Sequence, residues 1–342
     1  MPQKNNGIRV LLVTVCTVLG LILAAGIGLT IYANYMFGQV GRLEGTDETL
    51  SQEQIDQIIA EDTVAPDATT APVMDEEDVD WGENEGQVIE SADNIVNIML
   101  VGQDSEGNQR SRSDTMILVT FNKENKTITM TSFLRDLYVK IPGNGSTKMN
   151  AAYVFGGMDL LGQTLEQNFG VQVDGFVEVN FSRFPDVIDL LGGVDMELRA
   201  DEASMINFAL NRYELNKGMM HLDGEQALYY SRIRNLDADA DFSRTNRQRK
   251  VITALIEKFR NTKLTTLLGL LDDLLPMIAT DMSNGELIEL ATDLFPMLSG
   301  CQIVSQRIPA NEAYHLATID GLSCVVADMD AARELLKQTM GE

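Results

Sequence analysis

Apolar positions follow three rhythms along this chain, and each predicts a different kind of element. Residues 10–41 contain no Asp, Glu, Lys or Arg, and 10–37 is mostly apolar. About 20 apolar residues span a bilayer as a helix, so 10–37 is expected to be a transmembrane helix. Lys4 and Arg9 precede it, while acidic sequence follows Arg42. That asymmetry favours an inside N-terminus. The run is long for the apolar region of a cleaved signal peptide, and no small-x-small site follows it cleanly. The reading is a signal anchor: 1–9 a cytoplasmic tail, 10–37 the span, and the remainder outside the cell.

From residue 94 the rhythm changes to short β-rich runs alternating with helical ones. Residues 95–101 form a continuous apolar run closed by Gly102, the pattern of a strand covered on both faces. Residues 115–121 and 127–133 are β-rich and separated by 122–126, which predicts a hairpin. A helix is expected over 150–169, interrupted at Gly156 and Gly157. A strand over 176–180, a helix over 183–191 stopped by Gly192 and Gly193, and a strand over 194–198 follow. Beyond a long helix at 241–260, helices are expected at 264–277 and 286–298, strands at 302–308 and 324–326, and a last helix at 331–339. Strands alternating with helices predict an α/β sandwich, with 94–342 as one extracellular domain and 262–342 as its integral flank.

Between span and domain the periodicity vanishes. Residues 44–93 hold 17 acidic side chains and no Lys or Arg. Apart from a short helix possible at 51–61, residues 38–93 read as a disordered, self-repelling linker.

Charge sharpens the picture. The chain has 26 Lys and Arg against 51 Asp and Glu, a formal net charge of −25. That excess argues against nucleic acid as a partner, which needs a broad basic face. Yet six of the 26 cations fall between Tyr229 and Lys250, in YYSRIRNLDADADFSRTNRQRK. A cluster of guanidinium forks kept against an acidic background suits a small polyanion such as phosphate or pyrophosphate. On the 241–260 helix, Arg244 and Gln248 share a side with Val251, Leu255 and Phe259, so that side should face the interior and Arg249 should point to solvent. A charge on a core-facing stripe needs a partner. That partner is either Asp237, Asp239 or Asp241, or a bound phosphate.

Other candidates sit at element ends. Asp104 follows a buried strand and Asp114 precedes the next, flanking a loop with Ser105, Arg110, Arg112 and Ser113. Strand ends are where α/β sheets place ligands. Two carboxylates with no Cys or His nearby favour Mg²⁺, although an Asp in a loop often only caps a turn. Arg135 in SFLRD, beside Asp136, and Lys148 in KMNAAY add cations at a strand end and a helix start. With Arg112, Arg232, Arg234 and Arg244 they form a recurring theme. Cys301 and Cys324 either pair or stay as buried thiols. His221 and His315 lie outside the basic motifs and are poor candidates for a catalytic base.

In this order, LVGQDS, RSDTMILVTFN, SFLRDLYVKIPG, KMNAAYVFGG, LGGVDMEL, LDGEQALYYSRIR and DADFSRTNRQRKVI resemble the LytR-CpsA-Psr family of cell-wall enzymes over residues 94–260. The resemblance implies a central mixed β-sheet flanked by helices, with an N-terminal transmembrane helix. It also implies a phosphotransferase that moves a glycopolymer from an undecaprenyl-pyrophosphate carrier to peptidoglycan, at the C6 hydroxyl of N-acetylmuramic acid. The polymer itself, whether teichoic acid, capsule or another polysaccharide, is not specified by these motifs.

Residue by residue, the resemblance makes Asp104 and Asp114 Mg²⁺ ligands. It makes Arg112, Arg135, Arg232, Arg234 and Arg244, with Gln248 and Lys148, binders of pyrophosphate. Asp241 becomes an acidic neighbour of the phosphates, so the catalytic set is Arg135, Arg244 and Asp241. Gln103 and Ser243 depart from the family's frequent small residues without removing a charge. An apolar cavity for the lipid is implied too, with Val187, Ile188, Leu190 and Leu191 or a face of the 150–169 helix as its wall or as ordinary core. Two rival activities remain on sequence: a lipid-pyrophosphate phosphatase using water, and a non-catalytic sensor of lipid-linked precursors.

Overall fold

The computed structural model describes residues 32–43, 53–55, 71–103, 113–180, 183–234, 236–237, 240–298 and 300–341. Chain order runs β1 (Gly41–Arg42), β2 (Ile95–Gln103), β3 (Ser113–Asn122), β4 (Thr127–Phe133), β5 (Tyr138–Ile141), β6 (Gly145–Lys148) and helix α1 (Met149–Phe169). Next come β7 (Gly175–Asn180), α2 (Phe184–Leu190), β8 (Val194–Leu198), α3 (Ala200–Leu210), β9 (Gly218–Leu222), α4 (Gly224–Arg232) and α5 (Ala240–Asn261). They are followed by α6 (Leu264–Leu274), β10 (Ile278–Thr280), α7 (Asn284–Leu298), β11 (Gln302–Ile308), β12 (Tyr314–Ile319), β13 (Leu322–Ala327) and α8 (Met329–Met340).

A seven-stranded sheet in the order β1-β10-β7-β2-β3-β4-β11 forms the centre. It is mixed: β2–β3 and β3–β4 pair antiparallel, while β2–β7 and β4–β11 are parallel. Alternation along β3 explains the layering, because successive side chains leave opposite faces. Met116 and Leu118 join the core beneath α1 and α8, with Leu161, Leu165, Phe169 and Leu336. Ile117 and Val119 face the other way, toward Leu294 and Met297 of α7 and Ile252 and Ile256 of α5. Both faces are covered, so the inner strands read as unbroken apolar runs.

A smaller core joins the β8–β9 hairpin to α2, α3, α4 and α5 around Ile188, Val194, Met196, Tyr230 and Val251. Ile188 is fully buried within this core, and Leu191 is also buried. α1 is continuous except at Gly156 and Gly157, whose backbone is non-helical (Gly157 φ 64, ψ −148). That conformation is open to glycine and strained for other residues.

The expected linker 38–93 needs correcting where it is described. β1 pairs with β10, Val40 is buried, and Trp81 stacks on Tyr138 at 5.9 Å. Ile89 is buried and its N–H donates to the Gly170 carbonyl at 2.8 Å. A Cβ on Gly170 would meet the Gln87 carbonyl oxygen at 2.2 Å. Scattered apolar anchors among acidic residues therefore hold 71–93 against the domain. The expected transmembrane segment, 10–37, falls outside the described residues except for the helical 32–37. No helix among the described residues is long and apolar enough to cross a membrane. Cys301 and Cys324 are both buried and form no disulfide with each other.

Candidate active site

The site is built where strand ends meet helix starts. β2 and β7 run parallel and finish together, Gln103 opposite Asn180. Gln103 also pairs with Ser113, and Gly102 with Thr115, so Asp114 is the extra residue of a β-bulge on β3. Bulges re-aim side chains at sheet rims. The bulge stands across the β2–β3 pair from Gln103, the residue before Asp104 in sequence. Asp104 and Arg112 themselves lie outside the described residues. The hydroxyl oxygens of Ser113 and Thr115 are buried with no hydrogen-bond partner among the described residues.

Two strands further along, β4 ends at Phe133 and the chain turns through Arg135 and Asp136 into β5. This turn is tied to the start of α1: the Asn150 N–H donates to the Arg135 carbonyl at 3.1 Å, and the Met149 N–H to the Leu137 carbonyl at 2.8 Å. Lys148 is the residue immediately before α1, and its Nζ lies 3.1 Å from Asp136 Oδ1. Arg135 Nε donates to Asp136 Oδ2 at 3.3 Å. One carboxylate thus holds two of the expected cations at a helix N-terminus, whose dipole also favours an anion. One turn into α1, the Tyr153 hydroxyl donates to Glu178 on β7.

α5 carries the second group. Arg244 and Gln248 are both buried, as the apolar stripe predicts, and Gln248 Oε1 accepts no hydrogen bond among the described residues. Asp241 stands on the same helix, one turn before Arg244's neighbours. Arg232 closes α4 and is exposed, and Arg234, half-buried, follows the buried Ile233.

Sequence reasoning missed the residue that positions this segment. Arg247 is 3 % exposed; its Nε donates to Glu202 Oε1 at 2.9 Å and its Nη1 to the Ile233 carbonyl at 3.1 Å. Its Nη2 donates to Asp237, which also takes Arg199 Nη1 at 2.7 Å. Those two guanidinium groups, Arg199 first, hold the Asp237 carboxyl below its usual range. Asp237 is therefore committed to Arg199 and Arg247. Position i−4 from the core residue Val251 was the available signal for Arg247.

Arg249 corrects an expectation. It is 5 % exposed, not solvent-facing, and its Nε donates to Ser305 Oγ on β11 at 2.6 Å. α5 packs on α4 and β8 and also against β4. A helix covered on two sides has no single outward face.

Among the described residues, a β-bulge marks the rim of β3, Arg135 and Lys148 share Asp136 between β4 and α1, and Arg244 and Gln248 are buried on α5. Guanidinium and ammonium groups of this kind suit a phosphate-class anion. The chain is 40% identical over 164 residues to the polyisoprenyl-teichoic acid–peptidoglycan teichoic acid transferase TagU of Bacillus cereus, a match spanning 48% of this chain and 52% of that one, about half of each. The TagU protein of Bacillus licheniformis is 32% identical over 72% of this chain and 78% of its own. Among solved structures, TagT bound to LIIa-WTA superposes with a TM-score of 0.62 at 30% identity, over 77% of this chain and 97% of that one. The YwtF (TagT) structure with bound octaprenyl pyrophosphate lipid gives 0.58 at 28%, over 77% and 99%. The profile of the LytR_cpsA_psr family matches residues 61–340, and the chain belongs to that family.

Proposed function

We propose that this chain is a phosphotransferase that moves a glycopolymer from a polyprenyl-pyrophosphate carrier, undecaprenyl pyrophosphate in the cell, to peptidoglycan. The observation that carries the reading is the Arg135–Asp136–Lys148 cluster, in which two cations share one carboxylate at the start of α1. The names of the TagU relatives and the lipid seen in a TagT structure support the same chemistry. Teichoic acid is the polymer those names favour.

In the proposed reaction a muramic acid C6 hydroxyl attacks the phosphorus nearer the glycan. The new O–P bond forms a phosphodiester, the pyrophosphate P–O bond breaks, polyprenyl phosphate leaves, and the hydroxyl proton is released. Negative charge builds on nonbridging and leaving oxygens, so fixed cations stabilise the transition state more than the ground state. Arg112, Arg135, Arg232, Arg234 and Arg244, with Lys148 and Gln248, are proposed to close on this diphosphate. Asp136 orients Arg135 and Lys148, and Arg247 braces the segment bearing Arg232 and Arg234. Asp241 and Asp114 are the candidates to receive the proton.

Asp104 and Asp114 are proposed to hold Mg²⁺. The fit rests on a hard oxygen donor set and on the bulge with its uncommitted Ser113 and Thr115 hydroxyls. When bound, the ion would supply Lewis-acid neutralisation of phosphate charge. We further propose that 10–37 anchors the chain in the cell membrane with the catalytic domain outside.

The test is product identity. The full-length chain in detergent, given lipid-pyrophosphate-linked glycan, peptidoglycan oligomer and Mg²⁺, should yield glycan phosphate joined to peptidoglycan by mass spectrometry. Free glycan phosphate would indicate a phosphatase, and unchanged substrate a sensor.

A further inference from the structure

α5 carries a second buried guanidinium that the reaction above does not use. Arg249 lies five residues, and so about 140° round the helix, from Arg244. It lines a recess of about 460 Å³ between α5 and β11, together with Ser243, Asn246, Ser305 and Arg307. Arg249 Nε is taken by Ser305, but its Nη1 is buried with no hydrogen-bond partner among the described residues. Among the described residues, no Asp or Glu lines the recess. Instead, Arg307 enters it from β11, stacked over the Phe242 ring at 4.1 Å and donating to Asn311. Burial, and then the Arg307 charge, push the Arg249 guanidinium down to about 10. A guanidinium so buried with one N–H group unmet is costly unless a ligand meets it.

We propose that this recess is a binding site for a tetrahedral oxyanion of the phosphate class, separate from the Arg244 side of α5. Donors arrive from two elements: Arg249, Ser243 and Asn246 from the helix, Arg307 and Ser305 from the strand. Donors spread in this way fit a tetrahedral anion better than a planar carboxylate, which a single guanidinium fork can satisfy. Asn246 and Ser305 also line an adjoining groove of about 950 Å³ that runs between β8 and α5 as far as Asn261. The groove gives a longer polar chain bearing the anion a place to lie. The site stands independently of the transferase reading.

The test is thermal unfolding of the full-length chain in phosphate and in chloride at equal ionic strength. An Arg244→Ala background weakens the other anion site. Phosphate at about five times its Kd should raise Tm by ~2–4 °C in that background. Adding Arg249→Met should abolish the rise; a rise of equal size in the double variant overturns the proposal. Should the double variant not fold, tungstate soaked into crystals of the wild-type chain decides by its anomalous signal. An ion between Arg249 and Arg307 supports the site, and ions beside Arg244 alone overturn it. A glycerol-phosphate oligomer binding at least ten-fold tighter than inorganic phosphate assigns the anion to a chain in the groove; equal affinity assigns it to free phosphate.

Discussion

Lys148 Nζ lies 3.1 Å from Asp136 Oδ1 with 7% of the lysine side chain exposed. An ammonium so enclosed depends on that carboxylate, which also accepts from Arg135. Asp136→Asn would leave Lys148 and Arg135 without their shared counter-charge. We expect a loss of about 1–3 kcal/mol in stability, the cost of an uncompensated buried polar group. Transfer should fall by at least ~10-fold, because both cations lose their orientation. Denaturant titration and turnover of the purified variant check the two halves separately.

Arg135 and Arg244 are assigned to the charge that develops on the phosphates. Arg135→Ala and Arg244→Ala should each lower transfer by at least ~100-fold, the effect of removing one preorganised donor. Circular dichroism should show both variants folded. Near-normal turnover in both would refute the assignment.

Arg247 tests the difference between bracing and contact. The Ile233 carbonyl and Asp237 tie the segment after α4 to α5 through Arg247, and Glu202 ties α3 to it. Arg247→Met leaves the buried Glu202 carboxylate short of a cation and should cost about 3 kcal/mol. Loss of transfer should follow loss of structure, so lowering the temperature should recover more activity in this variant than in Arg244→Ala.

Acid should loosen the same brace. The Asp237 carboxyl is held below its ordinary value in the fold by Arg199 and Arg247. A depressed acid contributes stability above its unfolded pKa of ~4 and loses it as pH falls through the folded value. The melting temperature of the wild-type chain should therefore drop as pH falls below about 5, and Asp237→Asn should flatten that part of the curve. Parallel curves would show that Asp237 does not carry the dependence.

Gly157 holds φ 64 and ψ −148 inside α1. Gly157→Ala should cost about 1–3 kcal/mol, read by denaturant titration, since that conformation is strained for any residue with a Cβ.

Much of this architecture was legible because the inner strands are two-sided. The run through Met116, Ile117, Leu118 and Val119 announces a strand buried on both faces, and the break at Gly156 and Gly157 announces the kink in α1. β8 and the edge strand β11 were legible as strands, but β5–β6, β9 and the two- and three-residue strands β1 and β10 at the other edge were not. β6 (GSTK) has no apolar residue, and the other pieces are too short for a rhythm to show. Asp136 and Arg247 were obscure for a different reason: their importance comes from partners distant in sequence, Lys148 and Glu202. Arg249 was misplaced because helical periodicity reports one buried face, whereas α5 has cover on two. Residues 71–93 looked like spacer because Trp81 and Ile89 are isolated anchors in an acidic background.

The most direct measurement follows the phosphorus atom nearer the glycan, isotopically labelled in a lipid-pyrophosphate-linked donor and incubated with the full-length chain, Mg²⁺ and peptidoglycan oligomer. The account predicts label in a phosphodiester joining glycan to peptidoglycan, with unlabelled polyprenyl monophosphate released in equal amount. Label recovered on free glycan phosphate, or retained on the lipid, would contradict it.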